Sequence, residues 1–280
     1  YRRNNWRRQI NLLSFCLHLW LRLLPAACFG RLTGSAPDLI LASSPQLPAA
    51  FTVLWIARLI GIPLVLEVRD LWPQVLIDQG GYLASHPMVS LLRWMEGVLY
   101  RQAALVVVLA KGAEFYVRDR GALRTAWLPN GPDLELFQAQ SLPPSRSQFC
   151  VLYAGAHGDA NALDNVIEAA RWLDLHGASI LLRLVGDGPE KPALILQAAG
   201  LTNISFEAPV PKAAMPGLMG EVDAILLSLR DVPLFRYGVS PNKLYDAYAM
   251  GRPVVTTVPG AINDEAVSYT HLRAHETLRY

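Results

Sequence analysis

Three stretches of this 280-residue sequence place glycines, a cation or a carboxylate where an apolar run gives way to a helical pattern. Such a junction can hold an anion, because backbone N–H groups and the helix N-terminus both present partial positive charge. In Tyr153-Ala154-Gly155-Ala156-His157-Gly158 the glycines let the backbone approach a phosphate, although a plain tight turn has the same spacing. Val185-Gly186-Asp187-Gly188-Pro189 is a second such junction, with Pro189 placed for a first helical turn. It lacks the third glycine of the dinucleotide fingerprint, which disfavours a nicotinamide site.

The third junction runs Gly238-Val239-Ser240-Pro241-Asn242-Lys243-Leu244-Tyr245-Asp246, with Gly251 five residues on. Ser240 is expected to cap a helix begun by Pro241 and closed by Gly251. Lys243 then sits in the first turn, where the helix dipole disfavours a cation unless an anion such as a diphosphate lies there. Asp246, one turn on, suits ribose hydroxyls; a solvent-facing Lys and Asp pair is the competing account. Nearer the N-terminus, Glu67-Val68-Arg69-Asp70-Leu71-Trp72-Pro73 ends an apolar run with charges, which in an α/β fold point to a ligand crevice. An Arg–carboxylate pair stiffening the loop is the alternative there.

The elements that must position these residues alternate in the manner of parallel sheets with helical crossovers. Strands are expected at 38–43, 64–68, 105–109 and 125–128, with helices near 46–60, 87–102 and 111–120. A second set has strands at 150–153, 180–185, 204–206, 224–229 and 254–258, and helices near 161–175, 189–199, 212–220 and 241–250. The fold class is therefore α/β, with two Rossmann-like domains facing across a cleft. The expected divisions are an N-terminal domain over 1–140, a Pro- and Ser-rich linker over 141–148, a C-terminal domain over 149–267 and a foreign-looking tail over 268–280.

Composition narrows the field. Hydrophobic residues make up 52% and charged residues 17%, which excludes disorder, and a net charge of +2 gives no ground for a nucleic-acid partner. Cys16, Cys28 and Cys150 form no CxxC pair, so neither a disulfide framework nor a zinc site is expected, and a cytoplasmic setting fits. His271 and His275 are four apart but lack a third ligand and the glutamate of HExxH, so no metal is assigned. No GxSxG or GxxxxGK[ST] motif occurs. The first 22 residues interleave Arg2, Arg3, Arg7, Arg8 and Arg22 with Trp6, Ile10, Leu13, Phe15 and Trp20. This basic amphipathic opening is expected to rest on an anionic membrane surface, and Arg22 and Pro25 to break it before it could span a bilayer.

Taken in order and spacing, these segments resemble glycosyltransferase family 4, retaining enzymes of the GT-B type, in the branch that assembles O-antigen, capsule and exopolysaccharide. The carriers lie between residues 37 and 259: Pro37-Asp38-Leu39-Ile40-Leu41-Ala42-Ser43-Ser44-Pro45, the Glu67 segment, Leu128-Pro129-Asn130-Gly131-Pro132-Asp133 with Phe137, and the three junctions above. The resemblance implies that the C-terminal domain holds a nucleotide-sugar, UDP-linked in most of the family, against Gly155, His157, Gly158, Gly186, Gly188, Ser240, Lys243, Leu244 and Asp246. Lys243 would face the diphosphate and Asp246 the ribose, at the second Glu of an E-x7-E motif whose first position is Gly238 here. Asp70 and Arg69 would serve catalysis on the acceptor side. No cofactor is called for, since the nucleotide-sugar is a substrate, and the partners implied are that donor, a lipid-linked or glycan acceptor and the inner membrane surface. Measured against the family, both ends look truncated, the first strand with its glycine loop being absent. A UDP-sugar epimerase of the same architecture, or a nucleotide-binding module without transfer, is the competing function.

Overall fold

The computed structural model describes residues 6–44, 46–141 and 147–257. The chain forms two compact units, Tyr1–Pro129 and Asn130–Tyr280. The first begins with helix α1 (Trp6–Thr33) and continues β1 (Ile40–Ser43), α2 (Leu47–Ile60), β2 (Leu64–Val68), α3 (Gln74–Asp78), α4 (Pro87–Gln102), β3 (Leu105–Val108), α5 (Ala113–Asp119) and β4 (Thr125–Trp127). Its strands form one parallel sheet in the order β1-β2-β3-β4. Parallel strands need crossovers and are covered by them, so Leu66, Val106 and Val108 are wholly buried and the strands read as continuous apolar runs. Gly61 ends α2 in the left-handed region at φ 62°, its N–H bonding back to Arg58.

The second unit runs β5 (Phe149–Ala154), α6 (Leu163–Leu175), β6 (Ile180–Val185), α7 (Lys191–Gln197), β7 (Ile204–Glu207), α8 (Met215–Gly220), β8 (Ala224–Leu227), α9 (Pro233–Arg236), α10 (Asn242–Ala249) and β9 (Val254–Thr256). Its parallel sheet has the order β7-β6-β5-β8-β9. The chain winds outward from β5 through β6 to β7, then crosses back to pair β8 with β5 on its other side. Strand order reverses at β5, and in open α/β sheets the crevice at such a reversal binds ligands.

Two sequence expectations shift. The boundary expected at residue 140 falls at Pro129, because Phe137 is a core residue of the second unit beside Cys150, Leu152 and Met219. Buried Arg252 fastens the same stretch, donating to the carbonyls of Gln140 and Ser141 as well as Met219 and Gly220. Residues 142–146 of the expected linker, and the tail over 268–280 with His271 and His275, lie outside the described residues.

The other shift concerns α1, which runs unbroken past Arg22 and Pro25 for 28 residues. A proline inside a helix costs roughly 3 kcal/mol. Docking offsets it, since Trp20, Leu23, Leu24 and Ala27 pack on Ile56, Ile60 and Ile62. Within α1, Ile10–Thr33 has a mean hydropathy of 1.7 and is long and apolar enough to cross a membrane.

One buried acid in the first unit gives a stability prediction. Glu96 is 1% exposed on α4, with Arg120 Nε 3.5 Å from its carboxylate. Burial pushes its pKa up to about 7, against the opposing influence of Arg120, Tyr100 and Tyr116. The folded state therefore holds a proton that the unfolded chain has already lost, so this contribution to stability is full below pH 4.5 and gone once pH passes about 7. Glu96→Gln should flatten the fall in melting temperature between those limits and stabilise the protein at pH 8 by about 1–2 kcal/mol. Thermal unfolding across pH 4 to 9 measures it.

Candidate functional site

A cavity of about 450 Å³ opens at the carboxyl ends of β5, β6 and β7. Ala154, Gly155 and Ala156 leave β5 into it, Gly186 and Asp187 leave β6, and Pro209, Val210 and Lys212 follow β7. Met215 and Met219 of α8 form an apolar flank, and Lys243 and Asp246 of α10 complete the lining.

Its floor is two interlocked loops. The Gly155 N–H donates to Val185 O at 2.9 Å, the His157 N–H to Asp187 O at 2.9 Å, and the Glu190 N–H returns to His157 O at 3.0 Å. A Cβ on Gly186 would lie 1.9 Å from Gly155 O, and one on Gly188 would lie 2.3 Å from His157 O. Here the glycines serve close backbone approach, and Gly186 also has φ +146°. Lys191 Nζ clasps the base, donating to Gly186 O at 2.7 Å and Glu207 O at 2.6 Å.

Lys243 lies in the first turn of α10, as the sequence implied. Its Nζ stands 4.3 Å from the centroid of the Tyr153 ring and 2.9 Å from where a Cβ on Gly155 would be. No carboxylate among the described residues pairs with it, and burial lowers its pKa to about 8. A desolvated ammonium without a counter-ion, open to a cavity, is poised for an anionic ligand. Asp246 is raised, by burial first and then by Asp133, with Lys212 working the other way.

Of the nine donor-side positions, Gly155, Gly186, Lys243 and Asp246 line the cavity. His157 lies fully buried behind the floor; among the described residues neither ring nitrogen has a hydrogen-bond partner, and burial, followed by the charge of Lys191, lowers its pKa. Gly188 shapes the loop behind the cavity, and Gly158, in open space before a 3₁₀ turn at Asp159–Asn161, does not line it. Leu244 is 1% exposed and packs on Leu227 in the core, since it faces the sheet side of α10. Ser240 does not cap α10, whose N-cap is Pro241. Its Oγ accepts the Asn130 N–H at 3.1 Å and bonds Tyr245 Oη at 2.8 Å, while Asn130 Nδ2 donates to Ser240 O at 2.7 Å. Ser240 thus ties the approach to α10 to the start of its own unit.

Gly238 adopts φ +95°, a left-handed conformation unfavourable to any side chain, which fits the absence of glutamate there. In the first unit Arg69 and Asp70 follow β2, and among the described residues neither makes an ion pair, so the loop-stiffening pair is not formed. Local desolvation raises the Asp70 carboxyl, with Arg69 opposing.

Sequence reasoning missed Asp187, Lys212 and the two methionines as cavity residues. The available signal was Pro209-Val210-Pro211-Lys212, a proline-punctuated turn at the end of β7 without the glycines that marked the other strand ends.

A model of the glycosyl transferase 4-like domain matches residues 3–131, and one of the glycosyl transferases group 1 matches residues 148–272. The chain is similar to alpha-D-kanosaminyltransferase of Streptomyces kanamyceticus, with 24% identity over 239 residues, covering 77% of this chain and 58% of that protein. Among solved structures it is similar to HepE of Anabaena in complex with UDP, with a TM-score of 0.63 and 19% identity, covering 87% of this chain and 64% of HepE. The apo form of the lipopolysaccharide outer core galactosyltransferase WaaB gives a TM-score of 0.58 at 13% identity, covering 96% of this chain and 72% of WaaB. The chain thus spans less than two thirds of the kanosaminyltransferase and of HepE. At these identities the structural likeness speaks for the fold, two Rossmann-like α/β units of the GT-B kind.

Proposed function

We propose that this chain, which belongs to the GT-B glycosyltransferases, serves the transfer of a sugar from a UDP-sugar to a lipid-linked or glycan hydroxyl in surface polysaccharide assembly. The observation that carries the reading is Lys243, a half-buried cation with no carboxylate partner among the described residues, set against the cavity beside the Gly155 backbone. A diphosphate there meets a fixed positive charge at the N-terminus of α10, which stabilises the leaving group as the bond from the sugar to the diphosphate breaks. Fixed positive groups of this kind can do the work of a metal ion. Asp246, Met215, Met219 and Val210 line the same cavity; in this reading Asp246 takes the ribose and the base packs on the methionines, whose thioethers offer polarisable contact to a flat ring. HepE was solved with UDP and WaaB is a galactosyltransferase of lipopolysaccharide, which supports a UDP donor and a surface glycan product.

The finer parts of the reading are a retaining, family 4 reaction that moves a hexosyl or N-acetylhexosaminyl group, with Asp70 and Arg69 acting on the acceptor. The protein works in the cytoplasm at the inner membrane face, where α1 supplies arginines and apolar side chains to the interface.

Incubating the protein with radiolabelled UDP-glucose, UDP-galactose and UDP-N-acetylglucosamine, together with membrane lipid, tests the reading. Label appearing in a lipid or glycan product is expected. An epimerised nucleotide-sugar, or bound UDP with no product, overturns it.

A further inference from the structure

The outer surface of the first unit carries a feature that sugar transfer does not use. On α2, Trp55 is 42% exposed and Leu59 66%; on α4, Leu91 is 56% exposed and Trp94 54%. Soluble surfaces carry single apolar residues freely, but a connected aromatic patch marks an interaction site. These are connected: Phe51 lies between the helices, its ring centroid 6.0 Å from Trp55 and 5.3 Å from Trp94. Arg58 sits over the Trp55 ring at 5.8 Å, and Arg93 is exposed beside Trp94.

The charge is one-sided. The chain as a whole holds 23 acidic residues against 25 basic ones. Yet α1, α2 and α4 together contain one carboxylate, Glu96, which is buried. The exposed charges of this layer are arginines: Arg7, Arg22 and Arg31 on α1, Arg58 on α2, Arg93 and Arg101 on α4. A second copy seated face to face would set Arg58 and Arg93 against their own kind. An anionic bilayer accepts all of these features, with arginines at the headgroups and tryptophans at the interface.

We propose that the platform of exposed Trp55 and Trp94 on α2 and α4, bridged by half-buried Phe51 and flanked by Arg58 and Arg93, is a docking face for an anionic lipid bilayer. This deepens the membrane placement proposed above and rests on it. It also sets the posture of α1. With Trp20, Leu24 and Ala27 docked on α2, the helix stays beside the platform and lies along the membrane, despite being long enough to cross one.

Co-sedimentation with vesicles of phosphatidylcholine containing 30 mol% phosphatidylglycerol, and with pure phosphatidylcholine, tests the proposal on the full chain. The protein should partition onto the anionic vesicles and be released by salt. Trp55→Ser and Trp94→Ser should each weaken partitioning about tenfold, and Arg58→Glu with Arg93→Glu should remove the preference for anionic lipid. UDP binding should stay unchanged in all of them, and thermal unfolding followed in parallel should match the parent, which shows that the first unit still folds. If the variants bind anionic vesicles as the parent does, the platform is wrong while the membrane placement stands. Should the parent fail to bind vesicles at all, both are wrong; labelled product formed on a soluble acceptor would still uphold sugar transfer. A parent that self-associates through Trp55 and Trp94 without binding vesicles would make the face a protein interface and overturn the proposal.

Discussion

Lys243→Met should bind UDP about a hundredfold more weakly than the parent, while being the more stable protein. The two effects have one cause. In the free protein the ammonium is desolvated over the Tyr153 ring, and no described carboxylate compensates it. Its pKa, lowered to about 8 from 10.5, means that the unfolded chain binds the proton more tightly than the folded one. The sign follows from that difference: the stability penalty is fully present below pH 8 and fades as pH rises toward 10.5. Removing the amine should therefore raise stability at pH 7 by about 2 kcal/mol and flatten its pH dependence over that window. Binding moves the other way, because a charge-assisted bond to a buried anion contributes roughly 1.5–3 kcal/mol, and losing its upper value is the hundredfold. Calorimetry adds a signature. UDP should restore the lysine's proton, so binding at pH 8 takes up about half a proton, read from buffers of different ionisation enthalpy, and affinity falls above that pH. Unchanged UDP affinity in Lys243→Met would remove Lys243 from the site and with it the main support for the donor reading.

That lysine was legible in the sequence because it broke a local rule. A cation in the first turn of a helix opposes the dipole, and one residue type at one position was enough to ask what anion lay there. The parallel strands were legible for a similar reason: a strand covered on both faces is nearly all apolar, and each expected strand is found within a few residues. Ser240 misled because serine before proline is a common start to a helix, and nothing local announces a partner 110 residues away at Asn130. Leu244 misled by adjacency, since a helix turns each residue about 100° from the last and the neighbour of a cavity lysine can face the core. Pro25 was read as a break on intrinsic cost alone, whereas packing on Ile56 and Ile60 overrides it. The boundary near residue 140 was drawn where composition changes, but a domain ends where contacts end, and Phe137 is held by β5 and α8.

Gly186→Ala tests the floor of the cavity and should damage the fold, where Lys243→Met stabilises it. A methyl group there would stand 1.9 Å from the Gly155 carbonyl oxygen, far inside contact distance, and the obstacle is backbone with no flexible end to swing aside. The residue also holds φ +146°, where side chains are strained whatever the space. Relief requires the β5 and β6 loops to separate, yet these are joined by the His157 to Asp187 and Glu190 to His157 backbone bonds and clasped by Lys191 on Gly186 O. Overpacking and backbone strain each cost about 1–3 kcal/mol, so a loss of roughly 3 kcal/mol or more in the second unit is expected. UDP binding should vanish with it, because Gly155 moves away from Lys243 as the loops part. Gly158→Ala is the control, since open space surrounds that position and its φ of −122° suits any residue. It should melt and bind UDP as the parent does. If Gly186→Ala melted with its control and kept its affinity, the two loops would not interlock as described, and the cavity they floor would need another shape.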